Sequence, residues 1–220
     1  MAKVGLKYPV AAKLNEANGT YSEGFVIAKA IKATVTANNN DVKLYADDGV
    51  AESDKSFKDG AISLNVDDLT QKVYADLLGH KYTEATEGPE PPEAPETVVA
   101  STNDVAPYLG VGFYGAVKRN GKTIYLAKWL KKVQFAEPSD ETDTRGETVT
   151  FQTPTIEGSV FNTEDGSWKE QVEFAEEAKA KEWLNEKVGI AEEASVMAAK
   201  TTVQTAAKTA AKTTKSEQEK

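Results

Sequence analysis

Residues 106–135 read APYLGVGFYGAVKRNGKTIYLAKWLKKVQF, and the pair at their centre, Asn120-Gly121, decides how the segment folds. Asn and Gly tolerate the positive φ that both central positions of a type I′ turn require. That turn matches the right-handed twist of two antiparallel strands, so NG between apolar-alternating runs predicts a tight hairpin. A two-residue loop then sets the register. Val117 faces Ile124, Gly115 faces Leu126 and Val111 faces Leu130 on one side; Ala116 faces Tyr125, Tyr114 faces Ala127 and Gly112 faces Trp129 on the other. Bulky rings fall opposite Gly or Ala, which lets an aromatic lie flat across the ladder. Neither face is polar over its length, so the hairpin needs cover on both.

Gly110, Gly112 and Gly115 also spell GxGxxG. A dinucleotide site needs a helix to begin among those glycines, so that its N-terminus meets a pyrophosphate. Here the chain continues as a strand into the NG turn. The glycines are therefore read as packing positions under aromatic rings, and no cofactor is expected.

Working outward, Val4, Leu6, Tyr8 and Val10 alternate as a short strand or arm, and Asn18-Gly19 marks a turn. Phe25, Ile27, Ile31, Ala33 and Val35 predict one long strand with a shared apolar face. Asn38, Asn39, Asn40 and Asp41 form a polar loop before Val42, Leu44 and Ala46, which predicts a hairpin with its tip at 38–41. Asp47-Asp48-Gly49 is a further turn. Ile62, Leu64 and Val66 alternate cleanly as another strand. Asp67-Asp68 are expected to cap a helix with an apolar stripe of Leu69, Val73 and Leu77, ended by Gly79 in the left-handed conformation. His80, the one histidine, falls at that helix end. Beyond the central hairpin, Val149 and Phe151 predict a strand, Asp165-Gly166 a turn, and Trp168, Val172 and Phe174 a second strand. Ala180, Trp183, Leu184 and Val188 share a helical face, with Glu177–Lys181 as a supporting pair. The fold class is thus mainly β (α+β), with one flanking helix and a short C-terminal helix. A domain over 1–190 carries it, and residues 191–220, rich in Ala, Lys and Thr, predict a flexible tail.

Composition narrows the chemistry. The 220 residues include no cysteine and one histidine, which removes thiolate chemistry and leaves no Ser-His-Asp arrangement to assemble. No P-loop, HExxH or GxSxG occurs, and the chain is not expected to be an enzyme. The longest apolar runs fall far short of the roughly 18 residues of a membrane span. Lys and Arg number 26 against 35 acids, a net charge of −9, which argues against tight nucleic-acid binding. In residues 84–97 (EATEGPEPPEAPET), Glu84, Glu87, Glu90, Glu93 and Glu96 recur every third position among prolines. That is the polyproline II period, giving a solvated acidic loop or an acidic edge that repels polyanions. Two acidic stretches imitate calcium loops and fail. Arg145 occupies a ligand position before Gly146, and Phe161 and Thr163 occupy ligand positions before Gly166, so no metal is expected.

Several phrases resemble the major tail protein, or tail tube protein, of long non-contractile-tailed phages of Gram-positive bacteria. They are LYADDG at 44–49 with Ala51-Glu52-Ser53, AISLNVDDL at 61–69 and APYLGVGFYG at 106–115. The others are WLKKVQFAEPSDETDTRGETVTFQTPTIE at 129–157 and AKAKEWLNEKV at 178–188. The similarity covers roughly residues 1–190, apart from the Pro/Glu loop. It implies a β-sandwich or partly closed barrel, assembled as stacked hexameric rings in the tail of a virion put together in the host cytoplasm. It also implies a tape measure protein inside the tube, tail terminator and tail-tip proteins at its ends, and DNA passing through without specific binding. Six copies at −9 would place −54 (6 × −9) on each ring, a charge that keeps a polyanion from adhering. On this reading the 105–135 segment adds strands to a neighbour's sheet, with Tyr114, Tyr125 and Trp129 in self-assembly contacts. Asn38, Asn39, Asn40 and Asp41, together with the 84–97 loop, would then touch the next ring. Two other readings fit the same composition. One is the tube protein of a contractile injection or secretion system; the other is a carbohydrate-binding or adhesion β-sandwich.

Overall fold

A computed structural model describes residues 2–86, 94–139 and 153–190. The chain is mainly β. In order it forms β1 (Ala2–Asn15), β2 (Thr20–Val26), β3 (Ala30–Asn39), β4 (Val42–Ala46), β5 (Gly49–Asp54), β6 (Phe57–Val66) and α1 (Gln71–Leu78). Then come β7 (Lys81–Thr83), β8 (Thr97–Val99), β9 (Leu109–Arg119), β10 (Lys122–Phe135), β11 (Thr155–Phe161), β12 (Lys169–Phe174) and α2 (Glu177–Val188). One antiparallel sheet runs β2-β1-β9-β10-β11-β6-β3, with β12 also paired to β10.

The central hairpin forms as its turn residues dictate. Asn120 and Gly121 both adopt positive φ (51° and 77°). Each cross-strand pair expected from the NG loop is present. Glycines 110, 112 and 115 lie within β9, and no helix starts there. Past Leu130 a bulge shifts the register. An unbroken ladder would set Lys132 opposite Leu109, whereas the bulge brings Val133 there. Over the same residues the outer partner of β10 changes from β12 (125–130) to β11 (132–135).

The bulge resets which residues point inward. Leu130, Val133 and Phe135 therefore join Leu109, Val111 and Phe113 in one core, with Ile62 and Leu64 of β6, Ile156 and Val160 of β11, and Leu77 and Leu78 of α1. Strands from both ends of the sheet share this core, so the sheet curls around it. Only residues 27–29 separate β2 from β3, which stand at opposite ends of the strand order. No pairing joins those two strands among the described residues, and the ring of hydrogen bonds stays open. The other face of the hairpin packs Tyr114, Ala127 and Trp129, with Val10 and Ala12 of β1, against Ala180, Leu184 and Val188 of α2. Full burial of each larger aliphatic side chain there contributes about 1.5–3 kcal/mol. The two-sided cover expected of this hairpin thus comes from its own chain.

Several expectations need correction. The strand expected over 25–35 is two strands, because the chain leaves one end of the sheet at Val26 and enters the other at Ala30. A bulge between Ala30 and Lys32 turns Ile31 outward, where it is 52% exposed, while Ala33 and Val35 pack on the core. The cap of α1 is Thr70, whose hydroxyl accepts from Val73 N; Asp67 instead accepts from Lys29 N at 2.9 Å. Gly79 does end the helix at φ 76°. Glu177 accepts from Lys7 Nζ and the Tyr114 hydroxyl, both at 2.8 Å, and Lys181 Nζ lies over the Tyr8 ring, so these two do not pair with each other. The strand expected at Val149 and Phe151, and the tail at 191–220, lie outside the described residues.

Candidate functional site

The segment between β3 and β6 is a projecting arm. β3 and β6 pair as far as Asn39 and Phe57, and the chain then continues outward as the separate β4–β5 ribbon. The waist of the arm is stapled by side chains of the polar run. Asn38 Nδ2 donates to Asp59 Oδ1 at 2.6 Å, and Asn40 donates twice to Ser56, from N to the carbonyl and from Nδ2 to Oγ. Asp41 lies 3.9 Å from Lys43 Nζ. Residues 38–41 are therefore the arm's base and not its tip. The tip is Asp47-Asp48, both at positive φ, between the paired Ala46 and Gly49.

Every described side chain of β4 and β5 is exposed. Val42 (64%), Leu44 (59%), Tyr45 (66%) and Val50 (54%) stand in water on a ribbon only two strands wide. Such a ribbon is at best marginally stable alone, and clustered exposed apolar side chains mark interaction surfaces. The turns flanking this ribbon are visible in the sequence. Nothing there signals that β3 pairs past it with β6, which is a long-range contact.

The curled sheet leaves β2 and β3 as its end strands, with Val26 42% and Ile31 52% exposed on them. This bears on the expected sheet extension through 105–135. β9 lies between β1 and β10, and β10 between β9 and the β11 and β12 strands, so neither has a free edge to offer a neighbour. Tyr114 and Trp129 are buried inside the subunit and Tyr125 is half-buried. Burial, then the bond to Glu177, pushes the Tyr114 hydroxyl pKa well up. Tyr114 and Trp129 belong to the core under α2, and Tyr125 packs against the edge of that core with part of its surface still exposed.

The acidic stretch begins and ends on a small hairpin, β7 with β8. Glu84 lies 3.6 Å from Lys72, and Glu96 accepts from the Tyr82 hydroxyl at 2.9 Å. Glu87, Glu90 and Glu93 lie outside the described residues.

His80 acts as a clamp. Its Nδ1 lies 2.8 Å from Asp104 Oδ2 and its Nε2 3.1 Å from Glu137 Oε2, while the Tyr74 hydroxyl also donates to Glu137. The contact with His80, helped by Ser101 N, holds the Asp104 carboxyl below its ordinary range. Both ring nitrogens are occupied, which ties the end of α1 to the segments before β9 and after β10. Among the described residues, no group of three or more His, Cys, Asp or Glu gathers as a metal site. No helix among them is long and apolar enough to cross a membrane.

No family model matches this chain, and no curated protein matches it at a significant level.

Proposed function

We propose that this chain is a self-assembling structural protein of the tail-tube type, forming stacked hexameric rings around a conduit through which DNA passes without specific binding. The observation that carries the reading is the β4–β5 arm, which holds four large apolar side chains in water on a separate two-stranded ribbon. A second copy covering that arm would remove this apolar surface from water at about 25 cal/mol per Å². The open strands β2 and β3 offer a second kind of contact, backbone pairing between copies. The curled, unclosed sheet suits a partly closed barrel completed by neighbours, and the net charge of −9 suits a passage that does not retain DNA. Tape measure, tail terminator and tail-tip proteins are the partners this reading brings with it.

Replacing residues 41–55 by a two-residue turn tests the role of the arm. The shortened protein should keep its circular dichroism spectrum and fail to form rings or tubes. Tubes of normal appearance from the shortened chain would refute the arm's role.

A further inference from the structure

On a chain of net charge −9, three lysines gather without an acid to pair them among the described residues. Residues directly opposite in a ladder share a face. Lys128 stands opposite Phe113, Lys169 opposite Leu130, and Lys3 opposite Val117. Phe113 and Leu130 point into the core, and Val117 falls on the same side as Phe113 by alternation. The three lysines therefore stand on the concave side of the curled sheet, toward the Asn120-Gly121 turn. That side is open here, with Lys169, Gln171 and Glu173 of β12 exposed along it.

Lys128 is half-buried, with Nζ 5.8 Å from the Phe113 ring centroid, and Lys169 Nζ lies 4.6 Å over the Trp168 ring. Burial, then repulsion from Lys3 and Lys169, holds the Lys128 ammonium below its ordinary value. Nearby Arg119 is already taken by a bidentate contact with Glu173. A half-buried cation among like charges gains from an entering carboxylate, because attraction is stronger where water is partly excluded.

The same molecule holds the complement. The carboxylates of Asp47 and Asp48 at the arm tip, and of Glu52 on β5, meet no cation among the described residues. They share the ribbon with exposed Leu44 and Tyr45. The arm also springs from the lysine end of the sheet: Phe57, where β6 begins, stacks on Trp168 with centroids 4.4 Å apart. We infer that the arm tip of one copy docks on the concave lysines of a second copy, Asp47, Asp48 and Glu52 pairing with Lys3, Lys128 and Lys169. This rests on the assembly reading and names the surface that receives the arm. Tip and lysines are different patches, so the contact is head-to-tail, the kind that makes a ring when its rotation closes.

The test mixes two full-length variants. One reverses the patch, Lys3→Glu with Lys169→Glu; the other reverses the tip, Asp47→Asn, Asp48→Asn and Glu52→Lys. All five side chains are exposed, Asn suits the left-handed tip, and matching unfolding temperatures establish that each variant folds. Each alone should need about tenfold more protein than the unsubstituted chain to form rings or tubes in negative stain and sedimentation. An equal mixture should assemble like the unsubstituted chain, because each reversed surface then meets its opposite. Variants that assemble alone at the unsubstituted chain's concentration, or a mixture no better than either, would overturn the docking surface and leave the arm replacement to judge the assembly reading. An unsubstituted chain that never assembles would overturn both.

Discussion

Trp129 lies across Gly112, its partner in the β9–β10 ladder, and a Cβ on that glycine would come within 2.6 Å of Trp129 Cε3. The same Cβ would come within 2.6 Å of Leu184 Cδ2, so the glycine sits between the ring and α2. Leu184 can turn aside, whereas the ring is held between β9 and the helix. Gly112→Ala should therefore destabilise the protein by about 1–3 kcal/mol, the usual range for overpacking. Urea unfolding of the variant measures it; an unchanged midpoint would mean that α2 gives way freely.

The Asn120-Gly121 turn carries its own prediction. Gly121 holds φ 77°, a left-handed conformation that costs an L side chain about 1–2 kcal/mol. Gly121→Ala should lose that amount. Gly121→Asn should lose less, because Asn tolerates this region. Thermal unfolding of the pair distinguishes them.

His80 and Asp104 should behave as one unit. His80→Ala should lower the unfolding temperature, and adding Asp104→Asn to it should cost little more, since both changes remove the same contact. Additive losses in the double-mutant cycle would mean that the two residues act separately.

Acid should weaken the turn before β12. The Asp165 carboxylate accepts from Ser167 Oγ, Thr163 Oγ1, Ser167 N and Lys131, which together hold its pKa far below the ordinary value. A depressed folded pKa contributes stability that is complete above the unfolded value, about 3.9, and is lost as pH falls toward the folded one. Asp165→Asn should therefore lower stability at neutral pH and flatten its decline below about pH 4. The comparison is thermal unfolding across pH for both proteins; parallel acid limbs would contradict it.

Local rules made the central hairpin legible. An NG turn sets register by backbone geometry alone, and the alternation of small and aromatic residues followed from it. The Gly79 helix end and the apolar face of α2 were equally local. What the sequence hid depends on contacts across the chain. The bulge at Ile31 inverts a face without any change in residue pattern, and the run 25–35 is apolar enough to read as one strand. The arm was misplaced for the same reason: Asn38–Asp41 looks like a tip until β3 is seen to pair with β6, which begins only at Phe57. Tyr114 and Trp129 looked available to a neighbour because the helix that covers them begins only at Glu177.

The most direct measurement is negative-stain microscopy of the purified full chain over a concentration series, with sedimentation on the same samples. Rings or tubes should appear as concentration rises, and their mass should step in multiples of the subunit. A chain that remains monomeric at the highest attainable concentration, with its arm exposed and unpaired, would contradict the account.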